Sequence, residues 1–188
     1  VYNRPKPLKR RESMQTNDTA SKTSKLVMTA MIMCIIIVAI FLFRIPIPFT
    51  QGYVNLSDAV IFIGIITLGR QYGAIAGALG CMLGDVLAGF AMWAPWSFGI
   101  KGGMALLTGT LLCSLCKRQD LSDRMFMIFE ILAMAAGGLF MAFGYFIAER
   151  VMYGNWAIAA LGIPWNICQF CVGIVLAVVI TEVLHKTN

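Results

Sequence analysis

The sequence predicts an all-α membrane protein, a bundle of six transmembrane helices with both termini on the cytoplasmic side. Three observations carry that expectation. Of the 188 residues, 59% are hydrophobic and 13% charged, with mean hydropathy +0.79, a balance a soluble domain of this size could hardly keep in water. Apolar runs long enough to cross the hydrocarbon core recur along the chain. The basic residues behind the net charge of +6 gather at alternate ends of those runs. Two regions follow: a basic cytoplasmic tail over residues 1–25 and a six-helix transmembrane domain over residues 26–188.

In the tail, Arg4, Lys6, Lys9, Arg10, Arg11, Lys22 and Lys25 face only Glu12 and Asp18. A basic stretch directly before an apolar run sets topology, and no nucleic-acid module follows it, so nucleic acid is not an expected partner. Residues 26–43 form the first span, which lacks a small-x-small cleavage site and is expected to be retained. Met14 is a candidate natural start. Residues 44–52 carry Pro46, Pro48 and Gly52 and are expected to turn the chain outside. A short second span is expected over residues 53–68, with an inner turn from Gly69 to Gly73. The third span, residues 72–91, is rich in glycine and alanine and ends at an outer connection holding Trp93, Pro95 and Trp96. The fourth span covers residues 98–116, and the polar stretch 117–124 returns on the inside. A fifth span over 125–148, an outer segment over 149–161 and a sixth span over 162–184 complete the count. On this arrangement the tail, Arg70, Lys117, Arg118, Arg124 and Lys186 lie inside, against Arg44 and Arg150 outside. No internal repeat marks two matching halves, so an inverted-repeat transporter is not expected.

Polar groups within spans are costly, and their depth locates a site. Asn55 and Asp58 open the second span, Asp85 precedes the outer end of the third and Lys101 lies one turn into the fourth. Tyr145 and Glu149 close the fifth, and Asn166 and Gln169 occupy the outer half of the sixth. All eight fall in the exterior half of the bundle, flanked by Trp93 and Trp96. One-sided polarity of this kind points to an outward-opening pocket sealed on the inside, and aromatic rings beside carboxylates and amides suit a small flat heterocycle. The plain alternative is that Asp85 and Lys101 neutralise each other and the tryptophans are interface anchors.

Two C-x-x-C pairs, Cys113 with Cys116 and Cys168 with Cys171, lie inside apolar runs at different depths; they read as packing residues, and no metal site is expected. In the third span Gly73, Gly77 and Cys81 form one row of small residues and Ala76, Gly80, Gly84 and Ala88 another, which allows close helix approach. Ala30 and Cys34 repeat the spacing on the first span, where the face meets either a neighbouring helix or another protein. The chain has no G-x-x-x-x-G-K-S/T phosphate loop and no H-E-x-x-H, and its one histidine, His185, sits at the C-terminal edge. It is therefore not expected to be an enzyme or to hydrolyse ATP, and accumulation of a solute needs partners or an ion gradient.

Gly52 to Asp58 (Gly-Tyr-Val-Asn-Leu-Ser-Asp), Gly73 to Gly80 with Gly84, Asp85 and Gly89, and Trp93 to Trp96 leading to Lys101 and Gly102 are similar to a known pattern. They resemble the S component, the substrate-specificity subunit, of energy-coupling factor (ECF) vitamin transporters, in the riboflavin/hydroxymethylpyrimidine-type branch. The resemblance covers the first four spans closely and the last two by hydropathy. It implies a six-helix subunit of the bacterial cell membrane that captures a vitamin or precursor and joins a transmembrane coupling protein, the T component, and two ABC ATPases. Hydroxymethylpyrimidine or pyridoxine is the favoured solute, with riboflavin and pantothenate as rivals. No cofactor is implied in this chain; ATP and magnesium serve the partner ATPases. The family docks through an alanine-x-x-x-alanine patch on the first helix, where Ala30 matches and Cys34 replaces the second alanine. The implied transport step is a tilt of the whole subunit in the bilayer.

For the pocket we expect Trp93 or Trp96 to stack on the ring, Asp85 or Glu149 to accept from it, and Asn166 with Gln169 to add hydrogen bonds. Lys101 is expected to orient the carboxylate or contact an electronegative ligand atom. An ion-coupled carrier or channel, with Asp85 and Lys101 marking a proton path, is the rival reading from another class. A lipid-headgroup enzyme and a purely structural assembly subunit are weaker ones.

Overall fold

The computed structural model describes residues 22–47, 52–118 and 122–187; the tail before Lys22, including Met14, and parts of the first outer and second inner loops lie outside the described residues. Among these residues the chain forms α1 (Lys22–Leu42), β1 (Arg44–Pro46), β2 (Tyr53–Asn55), α2 (Ser57–Leu68), α3 (Arg70–Leu87), α4 (Ala94–Cys116), α5 (Asp123–Tyr153) and α6 (Trp156–Thr187). The helices α1, α4, α5 and α6 are long and apolar enough to cross a membrane. With 12 residues, α2 is roughly 18 Å long and cannot span alone. Large apolar side chains such as Leu42, Leu87, Phe143 and Val175 lie more than half exposed, a surface suited to lipid rather than water.

The boundaries depart from the sequence expectation where polar residues or prolines were read as loop. Pro95 sits in the first turn of α4, where its missing N–H costs nothing, so the helix begins at Ala94. Glu149 and Arg150 remain helical, because α5 runs to Tyr153 and stops only at Gly154, whose φ of 68° is the left-handed cap. The expected outer segment 149–161 thereby shrinks to Gly154 and Asn155, and the Asn155 side chain caps α6 by accepting from Ala157 N–H at 2.8 Å. The inner turn at 69–73 is likewise a single residue, Gly69, at φ 82°.

The all-α expectation also misses a hairpin. Residues 53–55, expected to be helical, pair antiparallel with Arg44–Pro46, Ile45 opposite Val54. Pro46 and Pro48 disfavour helix before them, Tyr-Val favours a strand, and pairing satisfies backbone groups that would otherwise be bare at this depth.

Glycine-permitted contacts hold the helices together. Against α2, Gly73 and Gly77 of α3 meet Ile65 and Ile61; one and two turns on, Gly80 and Gly84 meet Ile36 and Ile40 of α1. The two rows of small residues thus serve two neighbours at once. Of these helices, α3 also packs on α4, α4 on α5, α5 on α6, and α6 returns to α2, which is enclosed and buries Ile61, Phe62, Ser57 and Asp58 completely. A Cβ at Gly73 would stand 2.8 Å from the Ile65 backbone, which cannot rotate away. Gly73→Ala is therefore expected to destabilise by about 1–3 kcal/mol, whereas Gly99→Ala, with nothing within 4 Å, leaves the midpoint of detergent-driven unfolding unchanged or slightly raised.

Candidate functional site

The period of each element brings the polar residues to one place. Tyr53 and Asn55 share a face of β2, and Cys81 and Asp85 lie one turn apart on α3. Ser97 and Lys101 are similarly spaced on α4, Tyr145 and Glu149 on α5, and Asn166 and Gln169 on α6. With Trp93, Ile40, Ile47 and Gly52 they line one pocket between the hairpin and the outer ends of the helices, leaving a cavity of ≈ 30 Å³, room for about two water molecules.

Eight of the ten residues expected at the site line this pocket: Asn55, Asp85, Trp93, Lys101, Tyr145, Glu149, Asn166 and Gln169. Asp58 lies one layer behind it, fully buried, and Trp96 is half-buried against the apolar core, away from the lining. Trp93 is 4% exposed, with its ring 6.0 Å from Tyr145 and 6.4 Å from Tyr153. Tyr53, Cys81 and Ser97 were not among the expected residues; each stands two or four positions from one that was, a spacing that could have found them.

The pairing of charges differs from the expectation. Lys101 forms its ion pair with Asp58, not with Asp85, and its Nζ also lies 2.9 Å from Met141 Sδ and 5.6 Å from the centre of the Tyr145 ring. The other oxygen of Asp58 accepts from Gln169 Nε2 at 2.8 Å, and Gln169 Oε1 accepts the Asn55 backbone N–H at 2.9 Å. Both members of the pair are essentially inaccessible, so each charge needs the other.

Asp85 is bound instead by the Tyr53 hydroxyl. The second Asp85 oxygen, Oδ2, is buried without a hydrogen-bond partner, as is Glu149 Oε2 on the facing wall. Glu149 is 2% exposed and its carboxyl rests against Gly162, where any Cβ would collide with it; the Gly162 carbonyl accepts from Asn166 Nδ2 at 3.1 Å. The hairpin is tied over the pocket by Tyr53, by Asn55 and by Arg44, whose guanidinium donates to Ala88 O at 3.2 Å beyond the end of α3. Among the described residues no cluster of His, Cys, Asp and Glu is placed to hold a metal ion.

On the first helix Ala30 and Cys34 are exposed, on a face that no neighbouring helix covers.

Four helices apolar and long enough to cross a membrane, enclosing a carboxylate-lined pocket at the hairpin end, define a multi-pass membrane protein with a candidate solute pocket. The chain belongs to the family of the ECF-type riboflavin transporter, S component, which matches residues 20–186. It is similar to the thiamine precursor transporter HmpT of Lactococcus lactis subsp. cremoris, 32% identical over 148 residues that make up 78% of this chain and 79% of that one. It is also similar to an uncharacterised protein of Pyrococcus woesei, 33% identical over 117 residues, 62% of this chain and 72% of that one. The fold matches the solved S component of a bacterial ECF transporter with a TM-score of 0.67 at 20% identity, over 89% of this chain and 98% of that one. Members of this family are vitamin- or precursor-binding subunits of transporters rather than enzymes, and in general they work with a T component and ATPases.

Proposed function

We propose that this chain captures hydroxymethylpyrimidine, with pyridoxine as the next choice, in the pocket beneath the hairpin and hands it to an ATPase-driven coupling module. One observation carries the choice of solute: two buried carboxylate oxygens, Asp85 Oδ2 and Glu149 Oε2, line the pocket beside aromatic rings without a well-formed hydrogen bond, the Ser97 hydroxyl near Asp85 being shared with Tyr145 at 3.0 Å. A ligand that brings N–H or O–H donors on a flat ring satisfies both. An amino-substituted hydroxymethylpyrimidine does so, whereas pantothenate brings a carboxylate of its own and riboflavin needs a far larger opening of the hairpin for its three fused rings. The similarity to a thiamine precursor transporter supports the same choice.

In this reading Trp93 and Tyr145 flank the ring, Asp85 and Glu149 accept from it, and Asn166 adds a hydrogen bond. Even a single ring exceeds the cavity, so the ligand takes the place of the Tyr53 hydroxyl on Asp85 and the hairpin shifts outward to admit it. The hairpin end faces the exterior of a bacterial cell membrane and both termini face the cytoplasm, in keeping with the basic residues Lys22, Lys25, Arg70, Lys117 and Arg118 at the opposite end. The exposed Ala30 and Cys34 dock on the T component, ATP and magnesium being used by the two ATPases, and the apolar exterior lets the subunit tilt in lipid.

Calorimetric titration of the protein in lipid nanodiscs tests the solute. Tight binding of hydroxymethylpyrimidine with none of pantothenate is the expected result; failure of hydroxymethylpyrimidine to bind refutes the assignment, and binding of pyridoxine or riboflavin in its place names the replacement. In cells carrying the coupling module, Ala30→Trp should abolish uptake and leave binding by the purified protein unaltered; undiminished uptake removes Ala30 from the docking face.

A further inference from the structure

Gln169 has almost no hydrogen-bonding capacity left for a solute. Its two donors are directed at Asp58 Oδ2, 2.8 Å away, and Met141 Sδ, 3.8 Å away, and its carbonyl oxygen holds the Asn55 N–H at 2.9 Å. The two main partners, Asn55 and Asp58, flank the turn where β2 passes into α2. That turn lacks the usual device: the residue preceding the helix is Leu56, which has no capping side chain. The Asn55 side chain satisfies one orphan donor, Ser57 N–H, at 2.8 Å, and Asp58 is anchored from the other side by Lys101. Gly173, one turn beyond Gln169, brings α6 close enough for this reach, since a Cβ there would lie 2.9 Å from that of Asp58.

We infer that Gln169 is a positioning residue rather than a ligand contact: from α6 it clamps both ends of the strand-to-helix turn, and so sets where Tyr53 and the hairpin sit over the pocket. This rests on the pocket reading above for its consequence in binding, and on geometry alone for the clamp.

The test reads the clamp without any ligand, as the hydrogen-exchange protection of the Asn55 amide in the purified full chain. Gln169→Met, which keeps bulk but neither bond, should lower that protection about tenfold at every pH. Gln169→Glu places a carboxyl against Asp58, with Lys101 of α4, Asp85 of α3, Tyr145 and Glu149 of α5 and Tyr53 of the hairpin as the other ionisable groups around the pocket. While a proton is shared between the two carboxyls, the amide's bonding pattern is reproduced and protection stays near wild type. As pH rises and that proton leaves, protection should fall. Asp58→Asn combined with Gln169→Glu exchanges donor and acceptor and should restore protection at all pH. Unaltered protection in Gln169→Met, or a Gln169→Glu effect that neither varies with pH nor is rescued by the exchange, overturns the clamp. Hydroxymethylpyrimidine titrated into the same proteins gives the second readout: weakened binding in parallel with lost protection is expected, and full affinity in an unclamped variant overturns the link to binding. If wild type binds none, the solute assignment falls and the exchange data still decide the clamp.

Discussion

Lys101→Met is expected to cost about 3–5 kcal/mol of stability, the largest effect of any single substitution considered, because it strands the fully buried Asp58 carboxylate with Gln169 as its remaining donor. Asp58→Leu should cost a similar amount by stranding the ammonium of Lys101, which is 2% exposed. The two changes together should cost far less than either, since neither charge is then left without a counterion in an apolar interior. Unfolding by sodium dodecyl sulfate in mixed micelles measures all three. Additive losses in the double variant would show that the side chains act through packing, and would sink the claim that the ion pair, rather than its volume, holds α2 and α4 in register. The pair carries this weight because burial leaves it no alternative: α2 is enclosed by α1, α3, α4 and α6, and water cannot take over for a lost partner.

Converting the two solute-facing carboxyls to amides, Asp85→Asn with Glu149→Gln, should weaken hydroxymethylpyrimidine binding by about a hundredfold or more. Each charge-assisted hydrogen bond accounts for roughly 1.5–3 kcal/mol, and the amide can turn an N–H toward the ligand's own donor. The same change should raise stability, by about 1–3 kcal/mol, because Asp85 Oδ2 and Glu149 Oε2 are buried acceptors without partners and their charge is expensive to hold there. Opposite signs in the two measurements are the signature of a site that holds unmet hydrogen-bonding capacity for its solute. Calorimetry and micellar unfolding on one preparation supply both. Affinity that survives the double change would remove these carboxyls from recognition, and a fall in stability alongside lost affinity would mark them as structural.

Much of the lining of the candidate pocket was legible in the sequence. Eight of the ten expected residues line one pocket because depth in a spanning helix follows from position along the chain at a fixed rise, and polar groups at matching depths on neighbouring helices tend to meet. The rows at Gly73 and Gly80 were legible as packing faces for the same reason, periodicity. The hairpin was not, because Tyr-Val-Asn leads directly into the apolar run of α2, and a strand of three residues is too short for alternation to distinguish it from a first helical turn. Glu149 was expected at the pocket, but the run from Glu149 onward looked like loop because Arg150 was weighed against lipid rather than against the Trp156 ring, 4.9 Å from its guanidinium.

The apolar, membrane-suited character of the chain, the order of the helices and the position of each polar residue along its own helix were all written into the linear pattern, since each depends on hydropathy and rise along a single segment. Which carboxylate answers Lys101 was not. Asp58 and Asp85 stand at comparable depth, and the choice turns on how far each helix is rotated, on how closely α6 approaches α2 through Gly173, and on how closely α4 approaches α3 through Gly102. Those are contacts between residues tens of positions apart, and only packing in three dimensions gives one acid a counterion and leaves the other facing the pocket.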